Sequence, residues 1–203
     1  MGAGPVIWTA SGWYGRFALP FGPDEMGYGM SQDEVTRVIA TEALLDGYLS
    51  AVTEASIAYL SSEQLAYSPA PGTNTIAWLA WHTARGQDVQ IADLADTEQI
   101  WTASGWYGRF ALPFGPDEMG YGMNQDEVTR VITTEALLNG YLSAVTEASI
   151  AYLGGLSAEN LDEVIDPNWN PPVTRGTRLV SVINDCLQHA GQASYARGIL
   201  DRT

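Results

Sequence analysis

The chain has 203 residues and only two histidines, and both lie on the apolar stripe of a helical segment. Leu79, His82, Gly86 and Val89 recur at steps of three and four, as do Val182, Asp185, His189, Ala193 and Ala196. That spacing keeps each set on one side of a helix, so both imidazoles face inward with the core residues. Asp185 and His189 are four apart and stand one above the other on that face. Inward-facing imidazoles and a carboxylate on facing helices are how bundles build metal sites. Two neutral nitrogens and one oxygen, with positions left for water or substrate, suit zinc, iron or nickel. Gln192, three residues beyond His189, is placed to orient that ring from behind. The same residues admit a plainer reading, in which each histidine is a hydrogen-bonded core residue and Asp185 satisfies a neighbouring donor. Asp88 lies too far round its helix to join the set, and Cys186 points to a different face and reads as a buried structural thiol. Ser-His-Asp spacing, a phosphate-binding loop and a dinucleotide fingerprint are all missing from the sequence.

Four helical segments must position these groups. The first spans about 32–60, with Val35, Val38, Leu45, Leu49, Val52 and Tyr59 as its apolar set. The second follows Pro71-Gly72, with Thr73 or Asn74 as N-cap, and continues to about Leu94. The third covers 125–153 and the fourth about 177–200. The expected architecture is all-α, an up-down-up-down four-helix bundle with a long connector between helices two and three. In that topology helices two and four run parallel, and the histidines meet at similar depth. The connector, Trp101 to Met123, is rich in glycine, proline and aromatics. It either caps one end of the bundle with its rings or walls a ligand pocket.

A block of 54 residues, Ile7 to Leu60, recurs 93 positions later as Ile100 to Leu153. Only three positions differ: Ser31 against Asn124, Ala40 against Thr133, and Asp46 against Asn139. Each difference is reachable by one G-to-A base change, which points to a duplication that is recent or was made during cloning. Two copies do not make a solenoid, which stacks at least three similar units. The expected division is therefore 1–31 as a duplicated connector, appended or swapped, and 32–203 as the bundle. Helix 32–60 is expected in the helix-one position, parallel to its copy. One bundle has one berth for the connector, so the aromatic surplus of Trp8 to Met30 needs another place. The expected outlet is a homodimer with this segment at or across the interface.

Composition narrows the function classes. The formal charge of −15, with every basic residue an arginine, argues against nucleic acid and against an anionic membrane surface. Hydrophobic content of 46% supports a packed core. A single cysteine excludes an internal disulfide framework and any multi-cysteine zinc site. With neither the layout of a signal peptide nor an apolar run long enough to span a membrane, a cytoplasmic protein is the default expectation.

Three stretches together resemble the DinB-like superfamily: NTIAWLAWHTARGQDVQIADL (74–94), GWYGRF (105–110) and LVSVINDCLQHAGQASYARG (179–198). More narrowly they are similar to an actinobacterial branch related to mycothiol-dependent maleylpyruvate isomerases and thiol transferases. The resemblance covers about Ser62 to Leu200. It implies a four-helix bundle, frequent dimerisation and a divalent metal held by three histidines, one on helix two and a pair on helix four. His82 and His189 fall on two of those positions, and Asp185 on the first of the helix-four pair. Aspartate there keeps a ligand but shortens it and adds negative charge. The resemblance thus implies a metal- and thiol-dependent transferase or isomerase, with His82, Asp185 and His189 holding zinc, nickel or iron, a small-molecule substrate, and mycothiol as cosubstrate. The alternative function is a non-catalytic bundle with a structural or vacant site that acts through homo-oligomerisation.

Overall fold

The computed structural model describes residues 50–203. Among them are helices α1 (Ala51–Ile57), α2 (Ser62–Leu65), α3 (Ile76–Ala95), α4 (Ile100–Ala103), α5 (Trp106–Phe110), α6 (Gln125–Val128), α7 (Glu135–Gly154), α8 (Ala158–Leu161) and α9 (Arg175–Leu200). Strands β1 (Val164–Asp166) and β2 (Val173–Thr174) form a small antiparallel hairpin before α9. The architecture is an all-α bundle of α1, α3, α7 and α9. None of the described helices is long and apolar enough to cross a membrane.

Side-chain oxygens mark the helix starts. Thr75 caps α3 by accepting from the Trp78 N–H, Thr134 caps α7 through Leu137, and Thr174 caps α9 through Thr177. The cap of α3 is thus Thr75, not Thr73 or Asn74. The continuous helix expected over 125–153 is two helices. Val128, Val131 and Thr133 are buried around the break, and Thr134, in extended backbone, starts a new helix. Packing of the short 129–134 segment into the core overrides the helical periodicity that runs through it.

Two clusters of buried residues fix the helix directions. The first joins Ile57 of α1, Ile76 to Ala84 of α3, Leu138 to Val145 of α7, and Ala193 and Ala196 of α9. The second joins Ile91 of α3, Leu153 of α7, and Leu179 to Cys186 of α9. α3 and α7 therefore run parallel, and α9 runs against both. Cross-helix contacts agree: His82 meets His189, Gln87 meets Cys186, Gln90 meets Arg178 and Leu94 meets Arg175. This corrects the alternating topology and the parallel placement of helices two and four. The expectation assumed that every connection reverses the chain. Residues 96–134 instead carry it back along the length of α3, about 30 Å for 20 residues, so α7 starts at the end where α3 started. The long connector is the crossover that a parallel neighbour requires.

α1 also departs from expectation. Ser50 bonds Thr146 at 3.0 Å, well along α7, while Ala58 accepts from Arg197 near the end of α9. The described end of helix one therefore runs opposite to its copy in α7. The remainder of the expected helix 32–60, residues 32–49, lies outside the described residues, as does the segment 1–31.

The connector packs its rings into the bundle. Trp101 lies 5.1 Å from both Phe110 and Tyr141, and Trp106 lies 5.7 Å from Tyr141. Asp88 holds its start, accepting from the N–H groups of Ile100 and Trp101 and from the Tyr141 hydroxyl.

Candidate metal centre

α3 supplies His82 and α9 supplies Asp185 and His189. One ligand atom from each lies within 4.8 Å of the others. The rings of His82 and His189 are 4.8 Å apart, and His189 Nε2 is 3.5 Å from Asp185 Oδ1. His82 forms the floor at 7% exposure. The open side is Asp185, whose side chain is 48% exposed against 15% for His189.

The outer nitrogens are committed. His82 Nδ1–H donates to the Met119 carbonyl at 2.5 Å, and His189 Nδ1–H donates to Gln192 Oε1 at 3.0 Å. Each bond fixes a tautomer and turns a bare Nε2 into the site. Two nitrogen lone pairs and a carboxylate then converge, an arrangement that repels itself unless a proton or a cation stands between them. The donor set fits a divalent ion of the zinc, nickel or iron kind.

Titration follows from this geometry. Burial, with help from the neighbouring His189, pulls the pKa of His82 below its ordinary value, so the ring is neutral and ready to ligate. For His189 burial acts in the same direction, but the hydrogen bond and charge of Asp185 outweigh it and the pKa is raised. Burial pushes Asp185 up, and its bond to His189 with that ring's charge more than offsets this, leaving it below the usual carboxylate range.

Several residues that spacing did not single out complete the surroundings. Trp78 stacks on His82, with centroids 4.5 Å apart and planes at 18°, and meets His189 edge-on at 5.9 Å. Gly120, at φ +97°, brings the connector against the site; a Cβ there would sit 2.9 Å from His82 Nδ1. Only glycine adopts that backbone and leaves the ring in place. Arg85, fully buried one turn beyond His82, donates to the carbonyls of Glu118 and Pro116 and so pins the connector to α3. The connector thus puts its rings in the core and its Met119–Gly120 turn against a site histidine. Asp88 stays outside the set, in a buried pair with Arg85 at 3.6 Å. Cys186 is buried 1% exposed beside Gln87, and burial raises its pKa, which marks an inert thiol.

The model of the mycothiol-S-transferase family matches residues 40–202. The chain belongs to this family. That match takes in α3, α9 and the connector, and with them every residue of the site. Among solved structures, this mycothiol-S-transferase family member is similar to a conserved protein from Enterococcus faecalis. The two are 34% identical with a TM-score of 0.76, over 83% of this chain and 98% of that one. No curated protein matches it.

Proposed function

We propose that this protein is a divalent-metal-dependent transferase that joins a low-molecular-weight thiol, mycothiol, to an electrophilic carbon. The observation that carries the reading is the convergence of His82, Asp185 and His189 within 4.8 Å, with both outer imidazole nitrogens occupied elsewhere. Family membership supports mycothiol as the thiol. His82 and His189 would hold the ion through Nε2 and Asp185 through a carboxylate oxygen. A bound divalent ion supplies positive charge that keeps a nearby thiol deprotonated at neutral pH. The chain itself contributes rigidity. Trp78 and the Met119 carbonyl hold His82, Gln192 holds His189, and the exposed edge at Asp185 leaves room for the thiol and its acceptor. In the net reaction the thiol sulfur bonds carbon, the leaving group departs with its electron pair, and the thiol proton passes to solvent.

The test has two readings on one preparation. Protein purified without chelator should carry about one equivalent of a divalent ion, and His82→Ala should lose it. With mycothiol and an alkyl halide the metal-loaded protein should form thioether faster than the same mixture without it. Failure to take up zinc, nickel or iron even on supplementation would defeat the proposal and favour the non-catalytic bundle.

A further inference from the structure

Glu118 turns its carboxylate into its own backbone. Oε1 accepts from the N–H of Met119 at 2.9 Å and of Gly120 at 2.8 Å. Its carbonyl is fixed by Arg85 Nε–H at 3.1 Å, and Arg85 is held in turn by Gln99 at 2.9 Å and by Asp88 at 3.6 Å. The next carbonyl, that of Met119, accepts the Nδ1–H of His82. Free imidazole favours the proton on Nε2, so the acceptor at Met119 is what reverses the preference and bares the nitrogen that faces Asp185 and His189. A carbonyl can do this only while its peptide plane is held. The Met119–Gly120 peptide includes a glycine at φ +97°, the residue with the weakest backbone preference of its own. The Glu118 carboxylate grips the N–H groups on both sides of that carbonyl.

We propose that Glu118 is a positioning residue: by clamping the Met119–Gly120 turn it selects the Nδ1–H tautomer of His82 and so readies the site for a cation. The inference rests on the metal reading above for its consequence, but not for its mechanism, which is a property of the metal-free protein. The duplication adds a complication that can be used. Pro23-Asp24-Glu25-Met26-Gly27 repeats Pro116 to Gly120, while Arg85 and His82 occur once, so variants that change both glutamates leave no intact copy of the motif.

The experiment compares the full-length wild type, Glu118→Gln and the double variants Glu25→Ala/Glu118→Ala and Glu25→Asp/Glu118→Asp. With two histidines in the chain, nitrogen-15 spectra of the ring nitrogens at pH 8 resolve each tautomer without metal. Zinc affinity is measured separately by competition with a chelator. Wild-type His82 should carry its proton on Nδ1. The double alanine variant should shift population to Nε2–H and bind zinc about 10–100-fold more weakly, the range for loss of a group behind a ligand. Glu25→Asp/Glu118→Asp, with side chains too short to reach both N–H groups, should move the same way. Glu118→Gln keeps the amide oxygen as acceptor and should behave as wild type. A tautomer and affinity unchanged in both double variants would overturn the proposal. Should the tautomer shift while the wild type binds no zinc, the role of Glu118 stands and the metal reading falls.

Discussion

Asp185 and His189 each owe their altered titration to the other, and the coupling has a measurable sign. A nitrogen that must bind metal competes with a proton, so the raised pKa of His189 means that metal affinity starts to fall, as pH is lowered, above the ordinary histidine value of 6.5. Replacing Asp185 by Asn removes both the hydrogen bond and the charge that raise that pKa. Asp185→Asn should therefore weaken binding at pH 8 yet move the onset of the pH-dependent loss to lower pH, as a metal titration across pH 5–8 would read. An onset that stays put would mean that Asp185 does not set the protonation of His189. A second residue-scale outcome concerns the differences between the copies. Thr133 is buried and its hydroxyl finds no partner among the described residues, and the first copy has alanine there, at Ala40. Removing an unsatisfied buried hydroxyl regains about 1–3 kcal/mol, against roughly 1 kcal/mol for the lost methyl group. Thr133→Ala should leave thermal stability unchanged or raise it by about 1 kcal/mol. A clear loss would show that the hydroxyl is satisfied by water. The inward faces of His82, Asp185 and His189 were legible from spacing because one face of a helix is a local property, while their meeting, expected between parallel helices, occurs between antiparallel ones. Trp78 lay on the same stripe but reads as core, and Met119, Gly120 and Arg85 were hidden because their roles depend on a loop folding back on a helix more than thirty positions earlier in sequence.

At the scale of elements, composition and periodicity located the second and fourth helices to within two residues, at Ile76–Ala95 and Arg175–Leu200. They misjudged the third, because a buried turn at 129–134 has the same apolar spacing as a helix. The hairpin of β1 and β2 gave no alternation long enough to read. Helix directions were beyond the sequence, since a connector's length does not say where it lands. Where it lands is written in one close contact, Trp106 seated on Gly140 of α7. A Cβ at Gly140 would lie 2.6 Å from the indole. Alanine there gains about 1 kcal/mol of helix propensity and costs about 1–3 kcal/mol in overpacking. Gly140→Ala should destabilise by up to about 2 kcal/mol in chemical denaturation, with the Trp106 environment altered. Gly191→Ala, in α9 with nothing within 4 Å of the new Cβ, is the matched contrast and should stabilise by about 0.5–1 kcal/mol. Equal effects at both positions would show that the Trp106 contact does not hold the crossover.

For the whole molecule, the described bundle seats one connector, Trp101 to Met123, and the sequence carries another at Trp8 to Met30. If that aromatic surplus is used in association, light scattering should find a dimer for the full chain and a monomer after removal of residues 1–30. A full-length monomer would end the idea, and an unchanged dimer would clear the segment. The duplication reaches the bundle itself. Residues 51–57 and 144–150 share the sequence AVTEASI, yet the first buries Ile57 and leaves Val52 half-exposed, while the second buries Val145 and leaves Ile150 half-exposed. Tyr59 stands 93% exposed at φ +62°, whereas its twin Tyr152 continues the helix and donates to Leu94. The flanks decide: Ser61 and Gln64 form a capping box that starts a new helix after the first copy, and Gly154-Gly155 follow the second. A chain with two identical strings and two unlike berths must sort them while it folds, and sorting errors are kinetic traps. Refolding should therefore show a slow phase from chains that seat the wrong copy. Ala51 is exposed in its own berth, while its twin Ala144 packs against the core. Ala51→Glu would mark the first copy as unfit for the second berth without disturbing its own, and the slow phase should shrink.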